Sequence, residues 1–335
     1  MKSRTYRITA VAAALSLSIG ACSGSGGDAN DAGSAGGEVL QPVKVLLDWA
    51  YRPYHAGLLY ALENGLYEDA GLEVTIEEGK GSATSATLLG QGGYDIGHIN
   101  ITNAVQAISK DVPISVVSVY QPTTAASFIG IEGRVELESA KDLEGLKIGS
   151  TPGGSDALSL SVFQSITGMD NLDVIGLNSD AKTGALLSGQ VDVVSGDSHA
   201  YGAIVRGQGE TPVILSLSDS DVPLLGFGFV ANNEFLKSNE DAVKRFIEVS
   251  RVGTLAMNED LDAACALLID DYNLTGGSDQ CVDYASGLVA LSISASEQEW
   301  GSVQEDDISN LIEALSDVGE IGSEKPVGDY FHSLN

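Results

Sequence analysis

Beyond residue 40 the apolar positions of the chain switch repeatedly between two periods. Val43-Lys44-Val45-Leu46-Leu47 reads as a short buried strand, and residues 54–63 carry apolar side chains at helical spacing up to Asn64-Gly65, a helix-stop pair. Leu72-Glu73-Val74-Thr75-Ile76 alternates as a half-buried strand does. A helix over about 82–89 follows, then strands at 94–99, 114–120 and 146–149, a helix from about Asp156 and a strand at 191–195. Strands alternating with helices predict α/β lobes on largely parallel sheets. One stretch is echoed: Ala86-Thr87-Leu88-Leu89-Gly90-Gln91-Gly92-Gly93-Tyr94-Asp95-Ile96 parallels Gly184-Ala185-Leu186-Leu187-Ser188-Gly189-Gln190-Val191-Asp192-Val193. Each is a helix end, a glycine turn and a strand opened by aspartate, which favours two similar lobes. Ligands of open α/β sheets lie beyond the carboxyl ends of the strands, so two such lobes face one another across a cleft.

The first residues follow another pattern. Lys2, Arg4 and Arg7 precede an apolar run over residues 8–21. That run is short of the roughly 20 residues needed to span a bilayer and suits the core of a secretory signal peptide. It ends in Ile19-Gly20-Ala21-Cys22, which resembles a bacterial lipobox. The resemblance implies acylation of Cys22 and an extracytoplasmic, membrane-anchored mature chain. Residues 23–37 are almost entirely Gly, Ser, Ala, Asp and Asn, too poor in apolar surface to order and suited to a tether. The expected organisation is therefore a signal peptide at 1–21, a lipidated tether at 22–38, a discontinuous first lobe at 39–123 and 225–335, and a second lobe at 124–224.

Composition narrows the function. The mature chain is about twice a typical domain, in keeping with two lobes. Across the full sequence 17 basic residues face 47 acidic ones, a formal net charge of -30, and three of the basic residues lie in the signal segment. Such a surface opposes nucleic acid and anionic headgroups, leaving the lipid as the expected membrane contact. Cys265 and Cys281 are the only other cysteines, and an exported chain allows them to pair as a disulfide. No CxxC, GxSxG, HExxH, P-loop or dinucleotide fingerprint occurs, and His55, His98, His199 and His332 lack metal-ligand spacing. No catalytic residue, metal or cofactor is expected.

Asp48-Trp49, Pro53-Tyr54-His55-Ala56-Gly57-Leu58, Ala61, Gly65, Tyr67 and Gly71-Leu72-Glu73-Val74 resemble the opening of the NMT1/THI5-like (SsuA/THI5-like) periplasmic binding proteins. The likeness runs through residues 79–82 and Gly149-Ser150-Thr151-Pro152-Gly153-Gly154-Ser155 and covers roughly residues 43–255. It implies the periplasmic-binding-protein fold: two α/β lobes closing by hinge motion on a small solute for an ABC transporter permease. The family's binders take a thiamine pyrimidine precursor, riboflavin, sulfonates, nitrate or taurine, and the DWxxxPxHA form is most similar to the pyrimidine branch. That branch also contains cytosolic pyrimidine synthases, from which this chain departs through its leader.

The candidate ligand contacts follow from both readings. Trp49, Tyr51 and Tyr54 cluster where the first strand emerges and suit stacking on a flat heteroaromatic ring, or packing under the next helix. Asp48 and His55 flank them, as ligand groups or as a helix cap and a structural histidine. Gly81 and Ser82, and Thr151, Gly153, Gly154 and Ser155, precede helices whose free N–H groups attract polar ligand edges or are merely capped. Asn100, Thr102 and Asp197 follow strands that end at the cleft, and Asp197 suits an amino-substituted ligand over a nitrate or sulfonate. The expected protein is a monomer that binds a small solute and performs no chemistry on it.

Overall fold

The computed structural model describes residues 39–220, 222–292, 300–323 and 325–334. The signal peptide, Cys22 and the tether lie outside the described residues. Among those described, no helix is long and apolar enough to cross a membrane.

The chain runs β1 (Gln41–Leu46), α1 (Ala56–Glu63), α2 (Leu66–Asp69), β2 (Leu72–Glu77), α3 (Ser82–Gly90), β3 (Ile96–Asn100), α4 (Ile101–Ser109) and β4 (Ile114–Val119). It continues through β5 (Ala126–Ile131), β6 (Lys147–Ser150), α5 (Ser155–Thr167), β7 (Asp173–Gly176), α6 (Ser179–Leu187), β8 (Val193–Asp197), α7 (Ser198–Gly207) and β9 (Pro212–Ser216). It closes with β10 (Phe227–Asn232), α8 (Asn233–Glu259), α9 (Leu261–Asp271), α10 (Ser278–Ser292) and α11 (Glu305–Asp317).

The strands form two five-stranded sheets with orders β2-β1-β3-β10-β4 and β7-β6-β8-β5-β9. In each, the fourth strand alone runs antiparallel to its neighbours, β10 in the first sheet and β5 in the second. Those two strands are where the chain crosses over. It leaves the first sheet after β4 to enter the second at β5, and leaves the second after β9 to return at β10. The sheets are therefore mixed, and each lobe receives its fourth strand from the connection arriving out of the other. The two crossing segments touch: Gly226 N–H donates to the Gln121 carbonyl at 3.0 Å, and Gln121 N–H to the Phe227 carbonyl at 3.0 Å.

The sequence echo is physical. Lys44 N–H donates to Asp95 Oδ2 at 2.8 Å, and Lys147 N–H donates to Asp192 Oδ2 at 2.8 Å. Asp95 N–H returns to the Lys44 carbonyl and Asp192 N–H to the Lys147 carbonyl, each at 2.9 Å. In both lobes an aspartate just ahead of the central strand thus locks that strand to its neighbour. Within β1, Val43 and Val45 are buried while Lys44 is exposed, the period of two that a strand packed on one side requires. The central strand β3 is buried along its whole length, including His98. Burying that polar ring requires hydrogen-bond partners, and they lie at the cleft.

Candidate functional site

After β1 the chain passes through Leu47, Asp48 and Trp49 against the loop that follows β2. Gly81 N–H donates to the Asp48 carbonyl at 2.7 Å, Gly79 N–H to the Trp49 carbonyl at 3.2 Å, and Ser85 Oγ to the Leu47 carbonyl at 2.8 Å. A Cβ on Gly79 would strike the Leu47 carbonyl oxygen, so only glycine allows the two loops to run this close.

This zipping sets the Asp48 carboxylate, 6 % exposed, at the end of the sheet. Tyr54 Oη donates to its Oδ2 at 2.8 Å. His55 Nε2 and His98 Nδ1 lie 2.9 and 3.0 Å from its Oδ1. The Arg52 N–H donates to His55 Nδ1 at 3.2 Å, which leaves Nε2 as the proton-bearing nitrogen facing Asp48. His98 Nε2 pairs with the Tyr120 hydroxyl. Burial alone would raise the Asp48 carboxyl, but its hydrogen bonds to His55 and His98 outweigh burial and hold it well below the usual carboxylate range. Burial pushes His55 down to about 4, against the opposing pull of Asp48, so its ring is neutral at pH 7. Asp48, His55 and His98 stand close enough to hold a cation. Each ring nitrogen already has a partner, however, and a metal on His55 Nε2 would leave the imidazole no nitrogen for its proton. The trio is a hydrogen-bonded post under the cleft floor.

Above the post lies an aromatic wall. The Phe227 ring stacks on Tyr54 at 5.0 Å between centroids and on His98 at 5.0 Å, with interplanar angles of 17° and 18°. Tyr54, Phe227 and Trp49 border a cavity of about 600 Å³ between the two lobes.

The opposite wall carries charge. Asp156, near the start of α5, accepts on Oδ2 from the Thr151 N–H at 2.8 Å and from Lys182 Nζ at 2.7 Å. Lys182 also donates to the Ser195 carbonyl at 2.8 Å and sits 4.7 Å above the Tyr201 ring centroid. Burial would depress the ammonium, but Asp156 leaves it raised above the ordinary lysine range. Asp197 caps α7, its Oδ1 accepting from the His199 and Ala200 N–H groups at 2.8 and 2.9 Å. Its Oδ2 has no hydrogen-bond partner among the described residues. Burial raises the Asp197 carboxyl, and the nearby Asp48 charge pushes in the same direction.

Of the residues singled out from the sequence, Asp48, Trp49, Tyr54, Gly81, Ser82, Asn100, Thr151, Gly154, Ser155 and Asp197 line this cavity. Four do not. Tyr51 packs edge-on against Tyr272 at 4.8 Å and donates to the Ile76 carbonyl at 3.3 Å. His55 is sealed behind Asp48, and the Thr102 hydroxyl donates to the Leu225 carbonyl at 3.1 Å, anchoring the second crossing segment. Gly153 takes a φ of 75° in an exposed turn beside the cavity. Lys182, Asp156, Tyr201, Phe227, Gln121 and Tyr284 line the cavity without having stood out in the sequence.

A family model described as NMT1/THI5 like matches residues 52–264. The chain belongs to the NMT1/THI5-like family. Over 242 residues it is 26% identical to the formylaminopyrimidine-binding protein of Halalkalibacterium halodurans, covering 70% of this chain and 72% of that protein. It spans half of a thiamine-biosynthesis relative from Haemophilus influenzae, at 30% identity over 158 residues, which are 47% of this chain and 50% of the relative. The family also holds enzymes: a 4-amino-5-hydroxymethyl-2-methylpyrimidine phosphate synthase of Schizosaccharomyces pombe is 22% identical over 65% of this chain and 66% of its own. In architecture the chain is similar to the alkanesulfonate-binding protein SsuA of Xanthomonas axonopodis pv. citri bound to MOPS. The TM-score is 0.68 at 15% identity, over 87% of this chain and 98% of that one. That likeness establishes the periplasmic-binding-protein fold.

Proposed function

We propose that the chain is an extracytoplasmic solute-binding lipoprotein of an ABC importer. Its solute is a small, flat, amino-substituted heteroaromatic of the thiamine-pyrimidine type, enclosed by hinge closure and handed to a membrane permease. The observation that carries this reading is the pairing of walls: Trp49, Tyr54 and Phe227 on one side, and the Asp197 carboxylate with an uncommitted oxygen on the other. A flat ring stacks on the first and its amino group donates to the second. The formylaminopyrimidine-binding relative supports the same solute class. The two crossing segments, bonded at Gln121 and Gly226, are the natural hinge.

Calorimetry tests the reading. Binding of 4-amino-5-hydroxymethyl-2-methylpyrimidine or its formylamino analogue, weakened about ten-fold or more by Asp197→Asn, is the expected result. Asn caps a helix as well as Asp does, so stability stays within about 0.5 kcal/mol. Tight binding of an alkanesulfonate with no response to pyrimidines overturns the choice of solute.

That anionic alternative has one observation in its favour: α3 and α5 both open their N-termini, at Ser82 and Ser155, onto the cavity. Asp48 and Asp197 in the same walls oppose it. A second alternative is catalysis of the pyrimidine-synthase kind, in which a histidine is consumed. His55 and His98 are both fully buried and hydrogen-bonded, which argues against it. Mass spectrometry finding His55 modified after incubation with substrates would establish it.

A further inference from the structure

The cavity has a third side that neither sheet supplies. Leu274, Thr275 and Gly276 from the connection between α9 and α10, and Gln280 and Cys281 from the first turn of α10, line it. Cys265 on α9 and Cys281 on α10 are joined by a disulfide, with Cα atoms 5.8 Å apart and a sequence separation of 16. Few backbone bonds hold the turn itself: Tyr272 and Leu274 N–H both reach the Leu268 carbonyl, and Cys281 N–H reaches the Gly277 carbonyl. Gly276 stands at a φ of 116° and Asn273 at 54°. A segment with so few bonds opens readily unless it is tied, and the cross-link ties both of its ends.

Its footing is divided between the lobes. On the first, Cys265, Leu268 and Cys281 pack with Ala56, Leu59 and Met257, and Tyr272 Oη donates to Glu63 Oε1 at 2.6 Å. On the second, Arg206 of α7 grips Asp283 of α10 through Nε at 2.7 Å and Nη2 at 3.0 Å, while Ala203 packs with Tyr284 and Leu288. The loop is thus held beside the place where the lobes meet. The family match ends at residue 264, one residue before Cys265. The loop therefore lies outside the matched residues.

We infer that the disulfide-closed loop between Cys265 and Cys281 is a wall of the ligand site, with Thr275 and Gln280 as its specificity-determining polar residues and the disulfide as the tie that keeps it in place. The inference rests on the cleft being a solute site.

The test uses the whole mature protein with 4-amino-5-hydroxymethyl-2-methylpyrimidine as probe. Thr275 is exposed, so Thr275→Trp folds normally and fills the third side. Its affinity is expected to fall at least about ten-fold with an unchanged melting temperature, and Gln280→Ala to weaken binding less. Reduction of the wild type, or Cys265→Ser with Cys281→Ser, is expected to give a loss of about ten-fold that reoxidation reverses only in the wild type. If Thr275→Trp and the double serine variant bind within about two-fold of wild type while Asp197→Asn does not, the cleft stands and the wall falls. If the probe binds no form, the solute reading fails, and amide exchange of the ligand-free protein decides the wall. Faster exchange in residues 48–54 and 196–204 on reduction supports it, and faster exchange confined to 265–281 overturns it.

Discussion

The two lobes share one frame and use it for opposite electrostatic arrangements. Each has the strand order of the other, an aspartate locking its central strand, and a capping residue where that strand ends at the cleft. At that last position the first lobe has neutral Asn100 and the second has Asp197. Each lobe also holds a carboxylate nearby, buried in the first and nearly so in the second. In the first lobe Asp48 is held by a phenol and two imidazoles, with no lysine or arginine bonded to it among the described residues. In the second, Asp156 is held by the Lys182 ammonium. The charge of Asp156 is therefore cancelled where it stands, while those of Asp48 and Asp197 remain to the cavity. A cleft with uncancelled carboxylates in both walls favours ligands that donate hydrogen bonds and opposes anions. The shared frame decides where side chains go, and the partner given to each carboxylate decides what the cleft accepts.

The most severe way to break this comparison is to remove the cation from the second lobe. The Lys182 and Asp156 side chains are 2 % and 11 % exposed, so Lys182→Met leaves a buried carboxylate unpaired and costs about 3–5 kcal/mol. Adding Asp156→Asn removes the orphaned charge while keeping an acceptor for the Thr151 N–H, and recovers more than half of the loss. Urea unfolding of the single and double variants measures both. A single variant as stable as wild type would mean that Asp156 does not depend on the ammonium, and the contrast between the lobes would fail.

In the first lobe the corresponding weakness is acid. The folded pKa of His55, about 4, lies below its ordinary value of 6.5. From pH 6.5 down to 4 the unfolded chain takes up a proton that the folded chain refuses, so stability is full above pH 6.5 and lost as pH falls. The loss from this group amounts to about 3 kcal/mol by pH 4. The depressed Asp48 carboxyl loses its contribution further down, as pH falls through its own lowered value. His55→Gln lowers stability at pH 7 but flattens the decline between pH 6.5 and 4. An unaltered slope in that variant would remove His55 from the account.

Much of this frame was legible in the sequence because its causes are local. Residues 72–76 alternate because β2 buries one face, and Asn64-Gly65 stops α1 because Gly65 adopts a φ of 70° that few other residues accept. The echo around Asp95 and Asp192 was visible because both turns repeat one hydrogen-bonding device. The antiparallel fourth strands were not legible, since strand direction depends on which distant segment pairs, and β5 and β10 each pair inside a sheet begun elsewhere. The site divides in the same way. Trp49, Ser82, Asn100 and Asp197 follow strands or open helices, and topology alone places such positions at a cleft. His55 and Tyr51 flank the cavity-lining Tyr54 in sequence yet leave the cavity, because the short turn at Pro53–His55 sends neighbouring side chains to different sides. Lys182 gave no signal at all. A lysine in the middle of a helix ordinarily lies in solvent, and only the fold brings Asp156 and the Ser195 carbonyl to it.

The smallest expected effect concerns the place where the lobes meet. Arg52 of the first lobe and Asp180 of the second approach to 3.5 Å at the rim of the cavity, their side chains 32 % and 85 % exposed. An ion pair so open to water contributes at most about 1 kcal/mol, and salt screens it further. Arg52→Ala should therefore leave unfolding stability unchanged within error and weaken ligand affinity no more than about five-fold at low salt. Raising the salt should bring wild type and variant together. The two outcomes sharpen the comparison differently. A loss that salt abolishes makes the pair a weak attraction between closing lobes, separate from the carboxylates beneath it. A larger loss that salt does not touch would place the Arg52 guanidinium on the ligand itself. The acidic walls would then have a counter-charge at their mouth, and the argument against an anionic solute would have to be made from Asp197 alone.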